Sequence, residues 1–337
     1  MLASIRRSAT APAGTVSGFI ARVVLIGCWA AFAAMAFFIV ARLAVPDRFL
    51  VLIWANAYTF WIYLPAYAAA AVAALLGRWR LLAAAVVVVA FHLVWVLPDF
   101  RPGESIPADA YSAPKLRLMT ANVYFGNPDL RPLAREILEV DPDVLFIQEY
   151  GPKMEDALES EGVTGRYSYA AFAAENPYFG TAVFSRLPLS NVETVHAGRR
   201  PYIRATVNIG GHDVRLYDIH ATSPGFGPGI ANDWNDGWQS IFESLRSEQG
   251  IVIAAGDFNM TQNHRWYRAL ERAGFTSSHE ERGRGRATTW PQGRKLPMIR
   301  IDQVFHNAGV VTLSIREGRG EGSDHRPVIA ELAIVGR

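Results

Sequence analysis

Apolar residues are distributed along this chain in two unlike ways. The first hundred positions hold three long runs: residues 18–41 (GFIARVVLIGCWAAFAAMAFFIVA) carry one charge, Arg22, residues 49–77 carry none, and residues 81–98 carry His92 as their one titratable group. At a rise of about 1.5 Å per residue each run is long enough to cross, or nearly cross, a hydrocarbon layer about 30 Å thick. Trp54, Trp61, Trp79 and Trp95 suit the interfaces. The pattern predicts a membrane region, 1–98, with three transmembrane helices at about 18–41, 49–77 and 81–98. A cleaved signal peptide would account for the first run alone.

Residues 99–114 (DFRPGESIPADAYSAP) have no sustained apolar period and read as a linker. From Lys115 onward short strand-like strings recur: 116–123, 143–149, 180–186, 203–209, 213–221, 250–259, 299–307 and 325–335. Between some of them lie amphipathic helical patterns, at 127–142, 232–250 and 263–274. Many strands with few helices predict an α/β domain over 115–337 in which two sheets pack face to face with helices outside.

Charge refines this picture little. The 337 residues carry a formal net charge of +2, but residues 115–337 hold 25 Lys/Arg against 27 Asp/Glu, so they are slightly acidic. Basic character concentrates in 282–300, where Arg282, Arg284, Arg286, Arg294, Lys295 and Arg300 occur without an acid, a pattern that suits a phosphate-rich partner and equally a solvated loop. Around the apolar runs, Arg6, Arg7, Arg22, Arg78 and Arg80 face Arg42, Arg48 and Arg101 across the membrane. That bias predicts a cytoplasmic N-terminus and, after three crossings, a C-terminal domain on the non-cytoplasmic side of what would be a bacterial inner membrane. The single cysteine, Cys28, lies in the first run, so the C-terminal domain can form no disulfide.

Polar residues of chemical interest cluster at strand ends: Asn122, Glu149, His220, Asp257, Asn259, Asp302, Asp324 and His325. In IAAGDFNMT (253–261), Asp257 and Asn259 would point to one side of an extended chain and Phe258 to the other; a turn would use the same residues. A hard divalent cation takes oxygen ligands, for which Glu149 is the natural choice. A water nucleophile needs a base, and a histidine such as His325, oriented by a carboxylate such as Asp302, serves at neutral pH. Zinc is disfavoured, because this region has no cysteine and no HExxH helix.

The ordered set TANV (120–123), FIQE (146–149), YDIHATSP (217–224), GDFN (256–259), IDQVF (301–305) and SDHRPV (323–328) resembles the endonuclease/exonuclease/phosphatase superfamily across nearly all of 115–337. The resemblance implies a four-layered α/β sandwich of the DNase I-like type and a Mg²⁺-dependent phosphoester hydrolase, with Mn²⁺ as a substitute. Carried over by position, Glu149 resembles the main metal ligand, with Asn122 and Asp324 beside it. His325 resembles the general base or phosphate-stabilising histidine, and Asp302 its orienting carboxylate. Asp257 and Asn259 resemble the pair at the attacking water and the phosphate, and His220 a second histidine at the transition state. HATSP departs from the family's commoner pattern after that histidine.

The expected activity is therefore a membrane-anchored endonuclease or exonuclease that cleaves phosphodiester bonds by metal-assisted water attack. A phospholipid or sphingomyelin-type phosphodiesterase or phosphatase is the alternative, because the anchor would hold the site near headgroups. A catalytically silent binding module is the third reading. The lipid bilayer is an expected partner, and nucleic acid or a phospholipid headgroup the expected substrate. Nothing in the sequence addresses oligomeric state.

Overall fold

The computed structural model describes residues 14–173, 180–198, 200–293 and 298–336. Arg6, Arg7, Arg294 and Lys295, which entered the charge argument above, lie outside the described residues. The N-terminal region is helical: α1 (Gly14–Ala44), α2 (Leu50–Ala57), α3 (Thr59–Ile62), α4 (Pro65–Leu75) and α5 (Trp79–Val96). Two stretches, Gly18–Ala44 and Trp79–Phe100, are long and apolar enough to cross a membrane. The middle run is bent by 79° between Leu50–Ala57 and Thr59–Leu75. Its uncharged composition looks uniform, yet α2 has a separate task, since Ile53 is fully buried among core residues of the C-terminal domain.

That domain is a sandwich of two six-stranded mixed sheets with helices on the outer faces. Its strands are β1 (Lys115–Asn122), β2 (Val144–Gln148), β3 (Tyr169–Ala173), β4 (Thr181–Ser185), β5 (Ser190–Ala197), β6 (Arg200–Ile209), β7 (His212–His220), β8 (Ile251–Asp257), β9 (Thr276–Ser277), β10 (Asp302–His306), β11 (Val310–Glu317) and β12 (Val328–Ile334). One sheet runs β11-β12-β1-β2-β4-β3 and the other β5-β6-β7-β8-β10-β9. Leu118, Phe146, Val183, Leu216, Ile253 and Val304 interdigitate between them. Because both faces of the central strands are covered, β2, β4, β8 and β10 are buried at every position.

Helices α6 (Arg131–Val140) and α7 (Pro152–Ser160) cover the first sheet; α8 (Ile230–Ser247) and α9 (Arg265–Arg272) cover the second, and α10 (Ser278–Glu281) follows β9. Strands β3, β5, β9 and β11 and helices α7 and α10 lie outside the strings singled out in the sequence. Strand β5 is exposed along almost all of its length at a sheet edge, so it has no apolar alternation to show. Strand β11 carries a register shift between Thr312 and Ser314, which breaks its period.

Segment 99–114 lies along the domain. Glu104 N–H donates to Glu281 O at 2.9 Å, Asp99 accepts from Gln262 Nε2 at 2.9 Å, and Ala110 is buried with Val311 and Ala333.

Candidate active site

The parallel pairs β1–β2 and β7–β8 bring four strand ends to one edge of the sandwich. Asn122 is in register with Gln148, and His220 with Asp257. Antiparallel β10 places Asp302 opposite Asp257, and the loop before β12 brings Asp324 and His325 to the same place. Gly256 makes the close approach of the paired strands β7 and β8 feasible. Its φ is 141°, and a Cβ there would lie 1.9 Å from Ile219 O, so the apolar run must give way to glycine just before Asp257.

Asn122 ties the two sheets together: its Nδ2 donates to Glu149 Oε1 at 3.2 Å and to Asp257 Oδ2 at 3.0 Å. Phe125 N–H donates to the other Glu149 oxygen at 2.8 Å. Asp257 is held further by Asn259, whose backbone N–H donates to Oδ1 at 2.9 Å and whose Nδ2 donates to Oδ2 at 3.2 Å. Glu149 and Asn259 both sit in the left-handed region, at φ 59° and 47°. For residues with a Cβ this costs on the order of 1–3 kcal/mol, and such strain gathers where a side chain must point in one direction. Both the shared-face reading and the turn reading of GDFN therefore describe part of what is found, since Asn259 is strained backbone and also faces Asp257.

His325 Nδ1 lies 3.0 and 3.2 Å from the two Asp302 oxygens, and its Nε2 faces Asp257 Oδ2 at 3.9 Å. Burial alone would lower the His325 pKa, but Asp302, Asp257 and Asp324 outweigh it and raise the value to about 10. Asp257 moves the opposite way from an exposed carboxylate: burial, with Asp302 adding to it, raises it to about 7 against His325 and its hydrogen bonds. His220 Nε2 stands 3.9 Å from Asp257 Oδ2, and burial, Arg200 and His325 push its pKa well down. Around neutral pH the two histidines thus carry different charge.

The structure brings all eight predicted residues to this edge and adds others. Trp290 Nε1 donates to Asp324 Oδ2 at 3.0 Å, and Ser323 Oγ donates to Asn122 O at 2.8 Å. Behind the floor Gln148 Nε2 donates to Asp218 Oδ1 at 2.6 Å and Thr181 Oγ1 to Asp218 Oδ2, so the two sheets are joined by a buried polar network. Burial raises Asp218 to about 8 against both donors. Gln148 beside Glu149, and Asp218 two residues before His220 on the same face of β7, were signals for it. Arg200 and His264 also line the cleft, and neither stood out in the sequence; His264 Nε2 lies 3.0 Å from Ile53 O.

The donor set fits a hard divalent cation. Glu149, Asp257 and Asp324 line a cleft of about 340 Å³ whose described lining includes one Arg or Lys, Arg200, and no thiol. Among the described residues Asp257, Asp302 and His325 form a cluster whose ligand atoms lie within 4.8 Å of one another. Asp302 is already occupied by His325 Nδ1, so the carboxylates left to face a cation are Glu149, Asp324 and Asp257.

The basic loop is differently employed. Arg284 pairs with Glu317, Arg286 approaches Asp99 at 3.5 Å and lies over the Phe60 ring at 3.6 Å, and buried Arg300 reaches Glu280 at 3.3 Å. These cations brace the domain and the N-terminal helical region at Phe60 and Asp99, and the loop lends the cleft Trp290.

A family model described as Endonuclease/Exonuclease/phosphatase family matches residues 119–325. No curated protein matches the chain in sequence. Solved structures with the same fold include D. rerio TDP2 complexed with a single-strand DNA product, at 18% identity and a TM-score of 0.54, covering 65% of this chain and 98% of that one. An endonuclease/exonuclease/phosphatase from Beutenbergia cavernae aligns at 19% identity and TM-score 0.51, over 66% of this chain and 72% of that one. Another from Bacteroides vulgatus aligns at 16% and 0.54, over 65% and 99%.

Proposed function

Because the chain belongs to the Endonuclease/Exonuclease/phosphatase family, we propose that it is a metal-assisted phosphoester hydrolase anchored in a membrane by its N-terminal helices. The observation that carries the reading is the convergence of Glu149, Asp257, Asn259, His220 and the His325–Asp302 pair on one cleft edge, with Asn122 bridging both sheets. Glu149, Asn122 and Asp324 would hold Mg²⁺, with Mn²⁺ as a substitute. Bound there, the ion supplies positive charge to the phosphoryl and leaving oxygens.

The remaining roles belong to the protein. Asp257, oriented by Asn259 and Asn122, receives the proton of the attacking water. His325, fixed by Asp302 and protonated, presents Nε2–H to a phosphoryl oxygen, and neutral His220 serves from the other side of Asp257. The water oxygen bonds to phosphorus as the bond to the leaving oxygen breaks, with no covalent intermediate on the protein. Nucleic acid is one substrate this reading covers, and the DNA product in the D. rerio relative supports it as an endonuclease or exonuclease.

Contacts between the N-terminal helical region and the domain support the predicted topology. The C-terminal end of α1 meets the domain through Arg42, which donates to Asn263 Oδ1 at 3.0 Å, and the turn that follows α5 meets it through Asp99. If both helices end on the domain side, Thr59–Leu75 must lead back across between them. Three crossings would then put the N-terminus opposite the domain, and the Lys/Arg bias favours a domain outside the cytoplasm.

The test is a Mg²⁺ titration of full-length protein in detergent with a generic phosphodiester. Chelation should abolish turnover, and Glu149→Gln should require more Mg²⁺ than wild type. Turnover that persists after chelation, or an unchanged metal requirement in Glu149→Gln, would remove the ion from this site.

A further inference from the structure

The cleft has a second wall that the hydrolytic chemistry leaves unused. Opposite Glu149, Asp257 and His325 lie Ile53, Trp54 and Ala57 of α2, with Pro224 and Phe226 from the loop after β7. We propose that α2 and Phe226 form an apolar subsite for the hydrocarbon part of a membrane lipid phosphoester, which places its phosphate over Glu149 and Asp257 while its chains remain in the bilayer.

The position of α2 carries the argument. Ile53 is fully buried among Trp234, Trp238, Phe258 and Met260, so α2 is docked on the domain rather than immersed among lipid-facing helices. Polar ties fix that docking: Asp47 Oδ2 accepts from Arg265 N–H at 2.6 Å, and Asp47 Oδ1 accepts from Asn56 Nδ2 at 2.6 Å. The helix lies between the end of the apolar stretch Gly18–Ala44 and the 79° bend into Thr59–Leu75; with those stretches in a bilayer, it lies at the bilayer surface. One side of α2 therefore closes the cleft, while Val51 on α2 and Phe49 just before it remain exposed.

Phe226 points to the same surface. It is 93% exposed in the sequence SPGFGPG, and its ring stacks 6.3 Å from Trp54. An aromatic ring exposed to that degree is poorly placed in water and well placed at a membrane interface. Tyr124 and Phe125 extend the apolar rim on the Glu149 side. A nucleic acid would instead ask the rim for several free cations to meet its backbone. Arg200 is the one Arg or Lys among the described lining residues, and Arg284, Arg286 and Arg300 are turned to acids elsewhere.

The inference rests on the hydrolase reading, and the experiment separates the two. Full-length protein in mixed micelles with Mg²⁺ is given a long-chain phospholipid, its water-soluble dibutyryl counterpart and a single-stranded DNA oligonucleotide. The expected result is preference for the long-chain lipid. Trp54→Ala and Phe226→Ser should each lower the ratio of kcat/KM for long-chain over short-chain lipid by about tenfold, mainly through KM. Phe226→Ser removes an exposed ring, so loss of folding cannot account for its effect. Equilibrium binding of a non-hydrolysable long-chain phosphonate should weaken in both variants, which tests the subsite without turnover. Preference for DNA, or a chain-length ratio and phosphonate affinity unaffected by both substitutions, would overturn the subsite. Absence of turnover on all three substrates with intact phosphonate binding would overturn the hydrolase reading instead.

Discussion

The two walls of the cleft are built by different physics. On the polar side the carboxylates and His325 are fixed by partners of stated geometry: Asp257 by Asn122 and Asn259, His325 by Asp302, Glu149 by Asn122 and Phe125 N–H. On the apolar side the residues are held by packing, with Ile53 seated in a core and Trp54 against Tyr58 and Phe226. A wall of directional bonds fixes reacting atoms to within tenths of an ångström and is intolerant of change. A wall of packed apolar groups recognises the shape and polarity of a substrate and tolerates more. The first would set the reaction and the second its substrate, so substitutions on the two sides should fail in different ways.

The largest effect is expected on the polar wall. His325→Ala should lower kcat by about 10²–10⁴-fold, the range typical for loss of a general acid–base or charge-stabilising group. It also leaves Asp302 buried without its cation, so His325→Gln, which retains a donor, is the companion variant. Initial rates with circular dichroism in parallel separate activity from folding, and near-wild-type kcat in folded His325→Gln and His325→Ala would remove His325 from the chemistry.

A smaller effect, of another kind, is expected at the junction of the walls. Ile53→Ala leaves a cavity under Trp234 and Phe258 and should cost about 2–5 kcal/mol, read as a fall in Tm of the C-terminal domain. Val51→Ala, on the exposed side of α2, should cost less than about 1 kcal/mol. Equal effects would show that α2 is not docked as described. By the same reasoning a fragment beginning at Lys115 exposes the surface Ile53 covers and should melt below the full chain.

The sequence spoke clearly about one wall and hardly about the other. Strings such as FIQE and GDFN are legible because a strand buried along its length rarely ends in carboxylates or amides unless a site requires them there, and the eight strand-like strings, only some of which end that way, mark most of both sheets. Asp218 and Gln148 were half visible, as polar residues inside otherwise apolar strands. The role of Ile53 was not visible, because an isoleucine facing lipid and one facing Trp234 lie in the same uncharged run. Arg200 was hidden because its position depends on where β6 begins, not on a local pattern. The basic loop misled for a related reason: its partners, Glu317, Asp99 and Glu280, are remote in sequence or set just outside it, so clustered cations looked free.

That loop gives the smallest effect. Arg284 is paired with Glu317 and lies outside the lining of the cleft, so Arg284→Ala should change turnover by less than about twofold and leave its salt dependence unaltered; an arginine that met a substrate phosphate would reduce the salt slope by about one. The expected change is in stability, and it has a pH signature. Burial would raise the Glu317 carboxyl, but His279 and Arg284 outweigh it and hold it at about 2, below its ordinary 4.5. A carboxylate depressed by folding adds stability above its unfolded pKa and loses it as pH falls through the folded value. Arg284→Ala removes one of the groups responsible. Because Arg284 is 44% exposed, the cost at pH 7 should be only about 0.2–1 kcal/mol. The Tm difference between wild type and Arg284→Ala should therefore be present at pH 7 and shrink as pH falls from 4.5 toward 2. A constant difference across that range would mean the guanidinium acts through packing rather than charge, and a substantial loss of turnover at pH 7 would return the basic loop to the substrate wall.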